Sequence, residues 1–139
     1  DDLRLPASLL DEADSTFESL LRSGAPAVLL HGDLHHWNVL DAGDRGWMVI
    51  DPKGYLGEPA FEFGAFLRNP VGAIAGWEHL EAKQSRRVDE LSDRSGIDGS
   101  RIRAWGFAQA VLSACWSVED GEDSWRSALV CAEALRRGL

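Results

Sequence analysis

Three oxygen-bearing side chains in one polar part of the sequence could support phosphoryl transfer. Asp33 and Asn38 lie in residues 31–38, which read HGDLHHWN, and Asp51 opens residues 51–54, which read DPKG. Phosphoryl transfer needs one carboxylate that accepts or orients the attacking hydroxyl, and separate oxygen ligands that hold Mg²⁺ against the nucleotide phosphates. Asp33, Asn38 and Asp51 meet that need.

The spacing of these residues matches the catalytic motifs of protein kinases. The kinase catalytic loop reads H-R-D-L-x-x-x-N, and a second motif, D-F-G, opens with a metal-binding Asp after the next strand. His31, Asp33 and Asn38 keep the spacing of the first motif, with Gly32 in place of Arg, and Asp51 stands where the second motif begins. Two motifs in the right order argue against a chance match.

On these residues the chain resembles the aminoglycoside phosphotransferase family, which has a kinase-like fold. Residues 31–40, 50–54 and 57–58 are most similar to the streptomycin 6-phosphotransferase and hydroxyurea phosphotransferase branch. The resemblance implies a kinase that uses ATP and Mg²⁺ to phosphorylate a hydroxyl group of a streptomycin-type aminoglycoside or of hydroxyurea, and so confers resistance. It also implies that Asp33 is the catalytic base and that Asn38 and Asp51 hold Mg²⁺.

Four further residues have expected roles, of which those of His35, His31 and Glu62 come from the resemblance and that of Lys53 from its charge beside Asp51. His35 stands where many protein kinases have a Lys near the transferred phosphate, so it either donates a hydrogen bond to a phosphoryl oxygen or packs in the loop. Lys53 either neutralises nucleotide phosphates, orients Asp51, or is a solvent-facing loop lysine. His31 and Glu62 are expected to be structural supports of the catalytic loop.

Charge and composition narrow the partners. The chain of 139 residues carries a formal charge of −9, which disfavours nucleic acid and anionic membranes and favours a cationic small-molecule substrate. An acidic turn could attract such a substrate, although solvated helix caps are the simpler explanation of its acids. The acids of this turn are Glu119, Asp120, Glu122 and Asp123. No apolar run reaches the ~18 to 20 residues of a membrane span and no signal peptide is evident, so a cytoplasmic protein is expected.

Helical segments must position most of these residues. The sequence predicts a helix over 8–22 that is capped by Ser8 with Asp11, a strand over 27–30 and a hairpin of 39–40 with 47–50. Residues 51–59 are expected to form a loop. The remaining helices are expected over 60–68, 73–95 (ending at Gly96), 101–118 and 124–137, with 101–118 buried at the centre. This pattern predicts an α+β fold that is mainly helical.

Residues 1–139 are expected to form one domain, equivalent to the C-terminal lobe of a kinase-like phosphotransferase. They contain neither a glycine-rich lid nor the strand Lys that holds the α and β phosphates, so the N-terminal nucleotide lobe is absent from this stretch. The isolated chain is therefore expected to fold but to be inactive. It is also expected to self-associate through the face that the missing lobe leaves uncovered.

Two alternatives remain open at this stage. The first is a metal-dependent hydrolase, because mixed His and carboxylate ligands suit zinc or manganese. Its ligands would be His31, Asp33, His35, His36 and Asp51. The second alternative is a non-catalytic kinase-like fragment that retains only a binding surface.

Overall fold

The computed structural model describes residues 5–139, which form five α-helices and four short strands. The helices are α1 (Ala7–Arg22), α2 (Glu62–Leu67), α3 (Leu80–Ser95), α4 (Gly99–Glu119) and α5 (Trp125–Arg136). The strands are β1 (Val28–Leu30), β2 (Val39–Asp41), β3 (Trp47–Val49) and β4 (Tyr55–Gly57). The predicted α+β fold with mainly helical content is therefore confirmed.

The strands form two separate antiparallel pairs. β2 pairs with β3 as the predicted hairpin. β1 pairs with β4, which places Leu29 opposite Leu56. The sequence prediction of a loop over 51–59 is wrong at this point, because it contains β4. A three-residue strand is stabilised by its partner across the sheet, and that partner lies far away in the sequence.

Two helix starts also differ from the prediction. The predicted cap of α1 is wrong, because the helix begins after Pro6 and no side chain caps it. The helix predicted from residue 73 begins only at Leu80, since Trp77 is extended and His79 has a positive φ of 54°. Gly96 ends α3 with a φ of 71°, as predicted.

Helix α4 lies at the centre of the described residues, as its apolar sequence predicts. It packs against the other four helices, and Phe107 is fully buried. At Gly64, α2 approaches α4 so closely that a Cβ would collide with the side chain of Gln109. This close approach fixes α2, whose Glu62 contacts the backbone of the loop at residues 31–38. None of the helices within residues 5–139 combines the length and hydrophobicity that a membrane span requires.

Candidate active site

Glu62 holds the start of the loop that follows β1, which spans residues 31–38. Its carboxylate accepts hydrogen bonds from the backbone N–H groups of His31 at 2.7 Å and Gly32 at 2.9 Å. Gly32 has a φ of 85°, and a Cβ there would lie 2.6 Å from the ring of Tyr55. Only glycine fits both constraints, which gives Gly32 a steric reason that the motif alone did not reveal. The two hydrogen bonds support the predicted structural role of Glu62.

His31 connects the two motifs. Its Nδ1 accepts a hydrogen bond from the backbone N–H of Asp33 at 3.2 Å, so Nε2 carries the proton and donates to the carbonyl of Ile50 at 2.7 Å. The residue after Ile50 is Asp51. The His31 ring therefore ties the backbone at Asp33 to the backbone beside Asp51.

Asn38 makes a second connection between the motifs. Its Nδ2 donates to the carbonyl of Asp33 at 2.9 Å, while its own backbone carbonyl accepts from the N–H of Ile50 at 3.0 Å. The residue is buried. Because Nδ2 is committed to the loop, Oδ1 is the side-chain atom of Asn38 that remains for a cation.

The carboxylate of Asp33 has a basic group on each side. Arg68 Nη2 lies 3.2 Å from Oδ1, and His35 Nε2 lies 3.6 Å from Oδ2. The Asp33 side chain is 25% exposed. It is thus held in place yet still open to a substrate.

Asp51 and Lys53 form an ion pair of 2.8 Å at the surface. The hydrogen bond and charge of Lys53 lower the pKa of Asp51. The pKa of Lys53 is raised, chiefly by its hydrogen bond to Asp51 and with a further contribution from the charge of Asp33. The two aspartates therefore lie within electrostatic range of the same ammonium group. Asp51 itself has a positive φ of 57°, which is uncommon outside glycine.

Burial lowers the pKa of His35, against the opposing effect of the Asp33 charge, and Arg68 lowers it further. The ring is accordingly neutral at pH 7, and its Nδ1 is buried without a hydrogen-bond partner among the described residues. His35 and His36 line a cavity of about 540 Å³. The other lining residues are Leu34, Val39, Trp47, Glu62, Phe63, Phe66 and Leu91.

The acidic turn lies away from this cluster. Near the start of α4, the indole of Trp105 donates to Glu58 in the segment before α2, and Glu119 ends α4 fourteen residues later, roughly 21 Å further along the helix axis. Within residues 5–139, the hydrogen bonds of Glu122 join it to Ser117 and Ser124, at the turn itself. Among residues 5–139, no side-chain hydrogen bond or ion pair joins this turn to residues 31–38. The substrate role predicted for Glu119, Asp120, Glu122 and Asp123 therefore stays a prediction.

Two contributors were missed in the sequence. Arg68 was assigned only as a helix end, where a basic residue is common because it interacts favourably with the helix dipole. Glu58 accepts two hydrogen bonds from Arg101, at 2.5 and 2.8 Å, and a further one from the indole of Trp105. Glu58 therefore joins the segment before α2 to α4. Arg101, a charged residue near the start of the largely apolar α4, is the signal in the sequence for such a contact.

The residues present fit Mg²⁺ better than a transition metal. Asn38 and Asp51 offer amide and carboxylate oxygens, the donor type that Mg²⁺ prefers. Within residues 5–139, no group of three or more His, Cys, Asp or Glu side chains is arranged to hold a metal ion. The geometry consequently gives no support to the hydrolase alternative, whose five ligands would need such a group.

The fold and the paired motifs define a kinase-like phosphotransferase class. A family model described as "Aminoglycoside/hydroxyurea antibiotic resistance kinase" matches residues 5–121. The chain belongs to this family, and the resemblance inferred from the motifs is confirmed.

Similar proteins of known activity are about twice as long as this chain. The chain is 39% identical over 114 residues to streptomycin 3''-kinase of Klebsiella pneumoniae, covering 81% of the chain and 43% of that protein. It is 33% identical to streptomycin 6-kinase of Streptomyces glaucescens, covering 96% and 46%, and 38% identical to hydroxyurea phosphotransferase of Kitasatospora aureofaciens, covering 79% and 33%. The chain therefore spans less than half the length of each of these relatives.

Solved structures support the fold. The apo crystal structure of a thermostable mutant of aminoglycoside phosphotransferase APH(4)-Ia superposes with a TM-score of 0.62 at 20% identity, covering 95% of this chain and 44% of that one. A related structure of that enzyme holds ADP and hygromycin B and also gives a TM-score of 0.62, at 18% identity, covering 95% and 44%. At this identity the likeness establishes the kinase-like fold.

Proposed function

We propose that this chain is the C-terminal lobe of an ATP-dependent phosphotransferase that acts in the cytoplasm on a hydroxyl group of a streptomycin-type aminoglycoside or of hydroxyurea. Membership of the antibiotic resistance kinase family supports the reaction class. Relatives named streptomycin kinases and hydroxyurea phosphotransferase support these two acceptors. The coverage of less than half of each relative supports assignment to a single lobe.

The observation that carries the proposal is the linkage between the two motifs. His31 joins the Asp33 backbone to Ile50, and Asn38 binds both Asp33 and Ile50. A base and the proposed metal ligands are thereby built into one hydrogen-bonded unit. Such fixed positions matter because positioning and electrostatics supply most of the catalysis in phosphoryl transfer.

In the proposed reaction Asp33 acts as the general base. The acceptor hydroxyl oxygen forms a bond to the γ-phosphorus of ATP while the bond to ADP breaks, and Asp33 takes the hydroxyl proton. Asn38 and Asp51 would hold Mg²⁺, which neutralises phosphate charge when bound. The hydrogen bond and charge of Lys53 lower the pKa of Asp51 further below its ordinary value, which favours the ionised form that this role requires.

His35 is proposed to act as a neutral hydrogen-bond donor to a phosphoryl oxygen. Its lowered pKa leaves one ring proton at pH 7. The adjoining cavity has aromatic walls from Trp47, Phe63 and Phe66. A planar guanidinium or urea group of the acceptor could stack on these rings.

The test is ADP release with streptomycin and with hydroxyurea as parallel acceptors. The protein is expressed together with any coding sequence contiguous with this chain, and Asp51→Ala is measured beside it. We expect turnover with one of the two acceptors, and we expect Asp51→Ala to weaken Mg-ATP binding and turnover together. Acceptor-independent ADP release, or full activity of the Asp51 variant, would contradict the proposal.

The 139-residue chain alone is expected to be folded and without turnover. The glycine-rich lid and strand Lys that cover the nucleotide in kinases do not occur in its sequence, so the phosphates would be held from one side. Calorimetric titration of Mg-ATP into the chain measures the binding, and a parallel phosphorylation assay on streptomycin measures the turnover. Tight binding with multiple turnovers would show that the chain closes its own nucleotide site.

A further inference from the structure

Arg68 is a mostly buried cation beside the proposed base. It follows directly after α2, and its side chain is 17% exposed. Burial lowers the pKa of its guanidinium, and the charge of Asp33 opposes that effect. Guanidinium groups nevertheless stay protonated in proteins. A permanent positive charge therefore faces Asp33.

Within residues 5–139, the hydrogen bond of the Arg68 side chain goes to Asp33. Nη2 donates to Oδ1 over 3.2 Å. A cation shielded from water needs an anionic partner, because an unpaired buried charge is strongly destabilising. Asp33 is thus fixed by Arg68 through one oxygen, while its other oxygen lies on the His35 side.

The backbone around Arg68 is itself clamped by α3. Arg87 donates to the carbonyls of Phe66 at 2.7 Å, Leu67 at 3.1 Å and Asn69 at 3.1 Å. Gln84 donates to the carbonyl of Leu67 as well, at 2.9 Å. These carbonyls lie immediately before and after Arg68. Its position relative to the catalytic loop is therefore set by a second helix, in addition to the close contact of α2 with α4.

We propose that Arg68 is a positioning residue, which holds Oδ1 of Asp33 so that Oδ2 is presented to the acceptor hydroxyl. This inference rests on the proposed function, which supplies the identity of the reaction. The ion pair of Arg68 with Asp33 is a feature of the structure and does not depend on that function. A positioning role differs from a merely structural one, because it changes turnover without changing nucleotide binding.

Three substitutions separate these roles. Arg68→Met removes the charge and the hydrogen-bond donors, whereas Arg68→Lys keeps the charge but loses the planar guanidinium. Arg94→Met is the matched control, because Arg94 is an exposed residue of α3 that pairs with Glu90. In the active protein we expect kcat to fall about 10- to 100-fold for Arg68→Met, and less for Arg68→Lys, the range set by loss of a hydrogen bond between charged groups. The KM for ATP should be unchanged in both, and Arg94→Met should equal wild type.

Added guanidinium chloride at low concentration should restore part of the turnover of Arg68→Met, whereas urea, which is similar in shape but neutral, should not. Wild-type kcat in Arg68→Met would overturn the proposal. A parallel rise in the KM for ATP together with loss of kcat would also overturn it, because that pattern indicates general damage to the site.

A second readout uses the 139-residue chain and does not depend on activity. Nitrogen-15 NMR of the arginine side chains should show slow hydrogen exchange at the Arg68 guanidinium, and Asp33→Asn should accelerate this exchange about tenfold or more. The Arg87 signals should be unaffected and serve as the internal control. Equal exchange in wild type and Asp33→Asn would overturn the ion pair. If the pair is present but no acceptor is phosphorylated, then the proposed function fails and the pairing itself does not.

Discussion

The helices of this chain bury many of their apolar side chains, whereas the strands leave most of theirs exposed. In the helical body, which we define as α1, α3, α4 and α5, residues such as Ile102, Phe107 and Leu135 are 0% exposed. On the strand side, which we define as β1 to β4, Leu29 is 76% exposed and Leu56 is 78% exposed. The helical body contains its own core, and the strand side does not cover its own apolar surface.

The candidate active site lies between these two regions. Most of its side chains come from loops next to the strands. Glu62 begins α2 and Arg68 directly follows it, and α2 packs against the helical body. Stability and chemistry should consequently be separable. Substitutions in the helical body should unfold the chain, and substitutions at the boundary should remove activity with a smaller effect on folding.

The largest expected effect on chemistry is that of Asp33→Asn. Loss of a general base costs about 10²- to 10⁴-fold in turnover, and the affinity for nucleotide should be nearly intact because Asp33 faces the acceptor. Steady-state kinetics with varied ATP measure both quantities, and thermal unfolding checks that the variant is folded. Wild-type turnover of this variant would show that the site does not work as proposed.

The largest expected effect on stability is that of Phe107→Ala. Removal of a fully buried Phe in α4 should lower the free energy of unfolding by about 3 to 5 kcal/mol. Trp47→Ala is the matched control on the strand side, where the ring is exposed, and it should change stability by less than about 0.5 kcal/mol. Urea denaturation measures both. Equal losses would contradict the division between the two regions.

Sequence reasoning located the motifs because their chemistry is local. The base, the amide and the second aspartate fall within 19 residues, and the resemblance to the family is carried by residues 31–40, 50–54 and 57–58. The apolar sequence of α4 likewise identified the central helix. Such signals can be read directly from the linear sequence, because they depend on residues that are close together in the chain.

Contacts between distant segments were not predictable in the same way. The pairing of β1 with β4 joins segments 27 residues apart, and the contact of Arg68 with Asp33 spans 35 residues. Neither residue type is unusual where it stands. The local sequence pattern around a residue does not show which distant residue completes such a pair, so the contact of Arg68 with the proposed base became visible only in the fold.

An intermediate effect on the free energy of unfolding is expected for Glu58→Gln. This variant tests the connection between the segment before α2 and the helical body. Burial raises the pKa of Glu58, but the hydrogen bonds from Arg101 and Trp105 outweigh it and lower the pKa below the usual 4.5. Stability from this carboxylate is therefore fully present above about pH 4.5 and is lost as the pH falls toward the lower folded-state pKa. The variant should be less stable by about 2 to 3 kcal/mol at pH 7.

The difference between Glu58→Gln and wild type should shrink as the pH falls below 4.5, because protonation removes the same charge from the wild-type protein. Urea unfolding at several pH values between roughly 3 and 7 measures this difference. Glu18→Gln is a suitable control, since Glu18 pairs with Arg22 at the exposed surface of α1. A stability difference independent of pH would mean that Glu58 acts through packing instead of charge.

The smallest effect on stability, and the sharpest test of the uncovered strand side, is expected for Leu29→Lys combined with Leu56→Glu. The two residues face each other across the pair of β1 with β4, so the new charges should attract each other and leave the free energy of unfolding within about 0.5 kcal/mol of wild type. Exposed apolar surface of this kind favours association. In sedimentation velocity, the sedimentation coefficient of the wild-type chain should accordingly rise with protein concentration. The double variant should stay monomeric. Val130→Lys, at an exposed apolar position of α5, is the control and should associate like wild type. If the double variant associated as strongly as wild type, the contact would lie elsewhere, and the uncovered strand side would have no part in holding copies of the chain together.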